Sequence, residues 1–281
     1  MKTTSFLTAA ALLLCACSQS EKVDEQTKAV TFSLHGDFEI YQEPMTRTLE
    51  ADGKAMTDIW ALDYVDGALK QQVHQVSTDA DFGNPRLPLS FGYHHIYFVA
   101  SRGRDASLNT ADGTMAFSSV SDTFWRDYTV TINSSSASVV TVDLDRIVSK
   151  MRVSVSDAIP EGAATINITP ATWYYGFNYT NGLPCTARTS QPVSVALPAS
   201  VIGTTGLVSS IFGFSDAIQW KTDVAVDSKT SSGTVIGSAS VDDVPVERNK
   251  VTTISGTLYA PVNTHGITLN TDWAEPIDLP W

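Results

Sequence analysis

Basic residues are scarce: the 281-residue chain has 18 Lys+Arg against 30 Asp+Glu, a formal charge of −12. Nucleic-acid binding rests on clustered Lys/Arg that displace phosphate counterions, and no such cluster occurs, so nucleic acid is not expected as a partner. Charged residues of both signs reach only 17%, too few for a long coiled coil, whereas 43% hydrophobic residues is too apolar for disorder. Cysteine occurs three times (Cys15, Cys17, Cys185), which cannot make a disulfide framework, and no Cys/His spacing suits zinc. Catalytic signatures are missing too. There is no Gly-x-Ser-x-Gly elbow, no Ser-x-x-Lys, no Gly-x-x-x-x-Gly-Lys and no His-Glu-x-x-His.

The histidines include one adjacent pair, His94-His95, but neighbours on a strand point to opposite faces and cannot chelate one metal. One half-buried and one exposed histidine is the expectation. Asp223, Asp227 and Asp272 lack the spacing of a calcium loop. No metal, cofactor or enzyme activity is expected, and Cys185 reads as a buried or tolerated thiol rather than a nucleophile. Long helical stripes are absent, as is any later run approaching about eighteen apolar residues.

What is present begins with an address. Met1-Lys2 precedes an apolar run from Phe6 to Leu14 broken only by Thr8, a signal-peptide core that is short for a membrane span. It ends in Leu14-Cys15-Ala16-Cys17, which looks like a bacterial lipobox. Cys17 fits as the acylated residue because Ala16 precedes it, whereas Leu14 is bulky before Cys15. Residues 1–16 are therefore expected to be the signal peptide and 17–28 a lipidated tether, with acyl chains anchoring the chain to a membrane.

From Ala29 the pattern has period two. Val30, Phe32 and Leu34 share one face of a first strand expected over 29–41. Trp60, Leu62 and Tyr64 alternate in the next strand, and His94, Ile96, Phe98 and Ala100 share a face further on. Short β-branched runs follow through Tyr128–Ile132, Val139–Leu144, Ile147–Val155, Ala164–Thr169, Trp173–Phe177, Val193–Leu197, Ser209–Phe214, Val224–Asp227, Thr234–Val241, Lys250–Tyr259 and Ile267–Trp273. Many short strands between Gly/Asn/Asp/Ser turns predict an all-β chain of sandwiches. The interruption at Asp157-Ala158-Ile159-Pro160-Glu161-Gly162 suggests a boundary, giving domains 29–156 and 157–281.

Four further segments carry a resemblance, one of them Asp58-Ile59-Trp60-Ala61-Leu62-Asp63-Tyr64. Met45-Thr46-Arg47-Thr48 places an arginine between the first strand and a turn-rich gap. Leu144-Asp145-Arg146-Ile147-Val148-Ser149-Lys150 and Val244-Pro245-Val246-Glu247-Arg248-Asn249-Lys250-Val251-Thr252-Thr253-Ile254-Ser255-Gly256 follow in order. With the lipobox, this set resembles the fimbrillins, the type V pilins of Bacteroidales-type bacteria. The resemblance implies two transthyretin-like Greek-key β-sandwich domains in tandem and a subunit exported as an outer-membrane lipoprotein. It further implies that an Arg-specific protease cuts between Arg47 and Thr48, removing the lipid and the first strand. The subunit then joins other fimbrial subunits head to tail, as a homo- or hetero-polymer, when a strand from a neighbour fills the vacated groove.

The residues allow this. The tail offers Ile267, Leu269, Thr271 and Trp273 in one alternation and Ile277, Leu279 and Trp281 in a second, with a reach of roughly 50 Å if extended. The expected product is a cell-surface fimbrium supporting adhesion or biofilm formation. Two alternatives stand: an uncleaved, membrane-anchored fimbrial base subunit that keeps its lipid and first strand, and a surface glycan-binding lipoprotein using paired exposed aromatic rings. For the tail the alternative is that Ile267–Trp281 forms the last strand of its own domain.

Overall fold

A computed structural model describes residues 26–35, 56–103 and 105–259, and the backbone of Thr268–Asn270. In chain order the strands are β1 (Thr27–His35), β2 (Asp58–Val65), β3 (Ala68–Val76), β4 (Arg86–Ser90), β5 (Gly92–Ser101), β6 (Ala106–Asn109), β7 (Thr114–Phe117), β8 (Thr123–Ile132), β9 (Val139–Asp143) and β10 (Asp145–Arg146). There follow β11 (Val148–Val155), β12 (Ala163–Pro170), β13 (Thr172–Asn178), β14 (Leu183–Thr189), β15 (Val193–Ala196), β16 (Leu207–Phe214), β17 (Trp220–Thr230), β18 (Val235–Val246), β19 (Val251–Gly256) and β20 (Thr268–Asn270). Helix is limited, among the described residues, to one 3₁₀ turn at Ala199–Val201. The chain is all-β and forms two sandwiches in tandem.

The first sandwich faces a three-stranded sheet, ordered β4-β1-β9, against a five-stranded sheet, ordered β10-β8-β5-β2-β3. Period-two alternation supplies its core. Val30, Phe32, Leu34, Leu87, Leu89 and Val142 from the small sheet meet Ile59, Ala61, Ile96, Phe98, Ala100 and Phe124 from the large one. The opposite faces of β2 and β5 are also buried: Trp60, Leu62, Tyr97 and Val99 join the core cluster of the second sandwich. Burial on both faces explains why Ile59–Leu62 and Ile96–Ala100 read as continuous apolar runs rather than clean alternations.

The second sandwich is built from β16-β11-β19-β20 and β15-β12-β17-β18, with β14-β13-β7-β6 adjoining. Non-consecutive neighbours in most sheets record cross-over connections of the Greek-key kind. Phe177 and Phe214 stack at 4.8 Å, and Trp173 donates from Nε1 to Phe212 O (2.9 Å). Gly213 is required beside that indole, because a Cβ there would lie 2.4 Å from the Trp173 ring.

The boundary differs from the sequence expectation. β11 precedes residue 157, yet pairs along its length with β16 and in parallel with β19. Asp157–Gly162 is thus a connection between two strands of the second sandwich, and the Asp157 carboxylate accepts the Leu258 and Tyr259 N–H groups (3.0 and 2.7 Å). A Pro/Gly turn looks alike within a domain and between domains, and only the distant pairing partners distinguish them. The β6–β7 hairpin also crosses, since β7 pairs with β13.

Candidate functional site

Among the described residues β1 is the only strand of the first sandwich that precedes Arg47, and its position in the sheet decides what cutting there would do. It is central: residues 27–31 pair antiparallel with β4, and residues 31–35 pair parallel with β9. Thr31 N–H donates to Ser138 O (2.9 Å), Phe32 N–H to Pro85 O (3.0 Å) and Leu34 N–H to Gly83 O (3.0 Å), while His35 O accepts from Leu144 N–H (2.7 Å). Val30 and Phe32 are fully buried and Leu34 nearly so. The Phe32 ring lies 5.1 Å from Phe98 and 5.9 Å, edge-on, from Tyr128. Lys28 Nζ donates to Ser134 O (3.1 Å) and also to Ser136 O, fixing the strand's start to the β8–β9 turn.

One wall of this seat is tied to the opposite sheet by a buried polar cluster. The Asp63 carboxylate meets His94 Nδ1 at 2.7 Å and accepts from Gln71 Nε2 at 3.0 Å. Both partners reach on to β4: His94 Nε2 lies 2.9 Å from Ser90 O, and Gln71 Nε2 donates to Pro88 O at 3.0 Å. The Asp63 and His94 side chains are 1% and 2% exposed. β4 is thereby held by contacts independent of β1, in an interior where an unmade hydrogen bond is costly. The sequence reading missed this cluster. Its signal was Asp63 on the same strand face as Ile59 and Ala61, because a carboxylate among core residues needs partners.

Two of the segments that carry the fimbrillin resemblance, residues 144–150 and 244–256, meet at the seam between the sandwiches, whereas residues 45–48 and the lipobox lie outside the described residues. Arg146 forms a two-pronged pair with Asp122 (2.7 and 3.0 Å) and donates from Nη1 to Asn249 Oδ1 (3.1 Å). Arg248 donates from Nε to Ser215 O (2.9 Å) and from Nη2 to Gly182 O, and burial lowers its pKa. Trp125 packs on Gly182, whose φ of +71° suits glycine, and donates from Nε1 to Tyr179 O (2.7 Å). The Tyr64 and Tyr179 hydroxyls meet at 2.6 Å. Burial pushes the Tyr97 phenol up to about 12 and raises that of Tyr179 further. A cleft of about 300 Å³ lined by Phe124, Arg146, Arg248 and Asn249 lies here, but both guanidinium groups are already engaged by protein oxygens.

Of the residues singled out in the sequence, Val30, Phe32 and Leu34 come together in the core. The backbone of Leu269 lies in β20, opposite Ile254 at the edge of the second sandwich. Cys17, Arg47, Thr48, Ile267, Thr271, Trp273, Ile277, Leu279 and Trp281 lie outside the described residues. His94 is buried and His95 half-exposed beside Asp127, on opposite faces. Cys185 is exposed, not buried. Trp60 and Trp173 are core residues, and Trp220 packs on Trp173 and Tyr174. The exposed aromatic rings among the large hydrophobics described are Phe91 (38%) and Tyr93 (58%). Among the described residues no group of three or more His/Cys/Asp/Glu could hold a metal, and no helix is long and apolar enough to cross a membrane.

Comparison with known proteins bears on these features. Residues 104–207 match the model of a family described as fimbrillin-A associated anchor proteins Mfa1 and Mfa2. No curated protein matches the sequence. Among solved structures, a candidate adhesin from Bacteroides thetaiotaomicron aligns with a TM-score of 0.52 and 11% identity, over 87% of this chain and 97% of that one. A candidate cell adhesion protein from Bacteroides ovatus aligns at 0.52 and 15%, over 89% and 99%. The fimbrial anchor protein Mfa2 from Porphyromonas gingivalis gives 0.46 and 10%, over 87% and 98%. The two adhesin likenesses establish the shared fold. The family match overlaps the Arg146–Lys150 run quoted for the resemblance, so over the middle of the chain a likeness to proteins described as fimbrillin-associated is found independently of that reading.

Proposed function

We propose that this chain is a fimbrial subunit whose first strand is replaceable, so that the seat of β1 receives a strand from a neighbouring subunit. One observation carries the proposal: β1 fills the middle of its sheet, hydrogen-bonded on both sides, and joins the rest of its sandwich only through the segment that contains Arg47. Burying Val30, Phe32 and Leu34 is worth roughly 1.5–3 kcal/mol for each side chain. Losing them together with the β1 hydrogen bonds leaves an apolar groove and unpaired backbone groups, a state relieved by another extended segment. Addition of this kind runs head to tail and does not close, so it produces a filament.

In this reading the precursor is exported as a lipoprotein acylated on Cys17, cut after Arg47 by an Arg-specific protease, and assembled at the cell surface. Its own C-terminal segment is the donor to a neighbour. Because Thr268–Asn270 already pairs with β19, the donated part is the later alternation Ile277, Leu279 and Trp281. A second reading is favoured by the description of the matching family as anchor proteins: the chain keeps Cys17 and β1 and holds a fimbria at the membrane. N-terminal sequencing of the protein from sheared surface filaments and from outer membrane separates the two. A start at Thr48 in the sheared fraction supports replacement of β1, and acylated Cys17 as the sole form contradicts it in favour of the anchor.

A further inference from the structure

The seat of β1 has a shape that not every strand can fill. We infer that it is an aromatic-keyed acceptor, selecting a strand with a phenylalanine-sized ring at its middle inward position, and that it therefore receives a different subunit rather than a second copy of this chain. The inference rests on the strand-replacement reading above and names the partner's chemistry. Phe32 is fully buried between the rings of Phe98 and Tyr128, with Val30 and Leu34 inward on either side. A smaller residue in its place leaves a void facing two rings, which the sandwich closes only partly.

The chain's own tail offers two rings, Trp273 and Trp281, and neither meets this requirement whichever way the strand runs. With Trp273 in the middle, the inward neighbours are Thr271 and Glu275, so a carboxylate enters the core position of Val30 or Leu34. With Trp281 in the middle, Pro280 falls at Thr31 or Ser33. At Thr31 it deletes the N–H that bonds Ser138 O at 2.9 Å, and at Ser33 it stands opposite Thr141 of β9. The alternation Ile277, Leu279, Trp281 fits only with leucine in the ring's place. The tail is thus suited to another groove, and this groove to another tail.

The test uses the full chain with a protease recognition sequence inserted within residues 36–55, cut after folding so that β1 stays in place without its covalent link. Labelled peptides are then offered and uptake is followed by fluorescence anisotropy. The peptide Thr27–His35 is expected to exchange with the resident strand. Its Phe32→Ala version should bind roughly a hundredfold more weakly or worse, and the peptide 267–281 at least roughly tenfold more weakly. Leu279→Phe in that tail peptide should recover much of the loss. Equal uptake of the wild-type strand, its Phe32→Ala version and the tail peptide overturns the selectivity and leaves strand replacement standing. Refusal of every peptide, Thr27–His35 included, overturns replacement and the selectivity with it.

Discussion

Replacing Asp63 with alanine removes the carboxylate that organises the wall of the β1 seat. Asp63 is 1% exposed and His94 2%, and their 2.7 Å contact stands in series with the contacts of His94 to Ser90 O and of Gln71 to Pro88 O. The carboxylate holds two hydrogen bonds, to buried His94 and half-buried Gln71, and a hydrogen bond to a charged group is worth about 1.5–3 kcal/mol, so with Gln71 at the lower end the deletion costs about 3–5 kcal/mol. At a urea slope of about 2–3 kcal/mol/M, the midpoint of the first sandwich falls by roughly 1 to 2.5 M. The loss is expected to begin locally, with β4 amides losing hydrogen-exchange protection before those of β5 and β8. Asp127→Ala is the matched control. It breaks a second His–Asp contact in the same sheet, but His95 and Asp127 are 32% and 40% exposed, so the cost stays within about 1 kcal/mol. Chemical denaturation of both variants, followed by tryptophan fluorescence and hydrogen exchange, measures the difference. A midpoint for Asp63→Ala equal to that of Asp127→Ala refutes the buried clamp.

Cys17→Ala should abolish palmitate labelling and outer-membrane retention of the precursor; normal labelling would reject acylation at that residue. Gly213→Ala forces a Cβ to 2.4 Å from the Trp173 ring and should destabilise the second sandwich by about 1–3 kcal/mol through overpacking, read as a lowered melting temperature. Alkaline stability should fall between about pH 10 and about pH 12. Tyr97 is raised to about 12 by burial from the usual 10.0, so the unfolded phenol ionises first and binds fewer protons, and the stabilisation present below pH 10 drains away as pH rises. Phenolate absorbance that rises for every tyrosine before any loss of fold would contradict this.

Much of the architecture was legible because period-two patterning survives wherever one face is buried. β1 announced itself through Val30, Phe32 and Leu34, and β5 through the face shared by His94, Ile96, Phe98 and Ala100. Strands with weak apolar patterns escaped. β3 carries Lys70, Gln71, Gln72 and Gln75 along a sheet edge, β4 contains Pro88, and β14 contains Pro184 with Arg188. Their strand character comes from the neighbour they pair with, which is a tertiary property. The parallel pairing of β1 with β9 joins segments far apart in sequence, and no local pattern encodes it. β1 was thus readable as a strand, but neither its pairing on both sides nor the clamped wall beside it could be read. Arg146, Arg248 and Asn249 were noticed only as parts of a resemblance; in the structure Arg146 and Asn249 join the two sandwiches, and Arg248 ties the Ser215 turn to the Gly182 loop.

The claim that the β1 seat holds another subunit's strand in the assembled state is tested most directly by placing a photo-crosslinking amino acid at Tyr128, whose ring faces Phe32 at 5.9 Å. In the membrane-bound precursor the crosslinked peptide should be the chain's own Thr27–His35. In sheared surface filaments it should come from a different subunit, with an aromatic residue at the point of attachment. Recovery of Thr27–His35 of the same chain from the filaments would contradict the account.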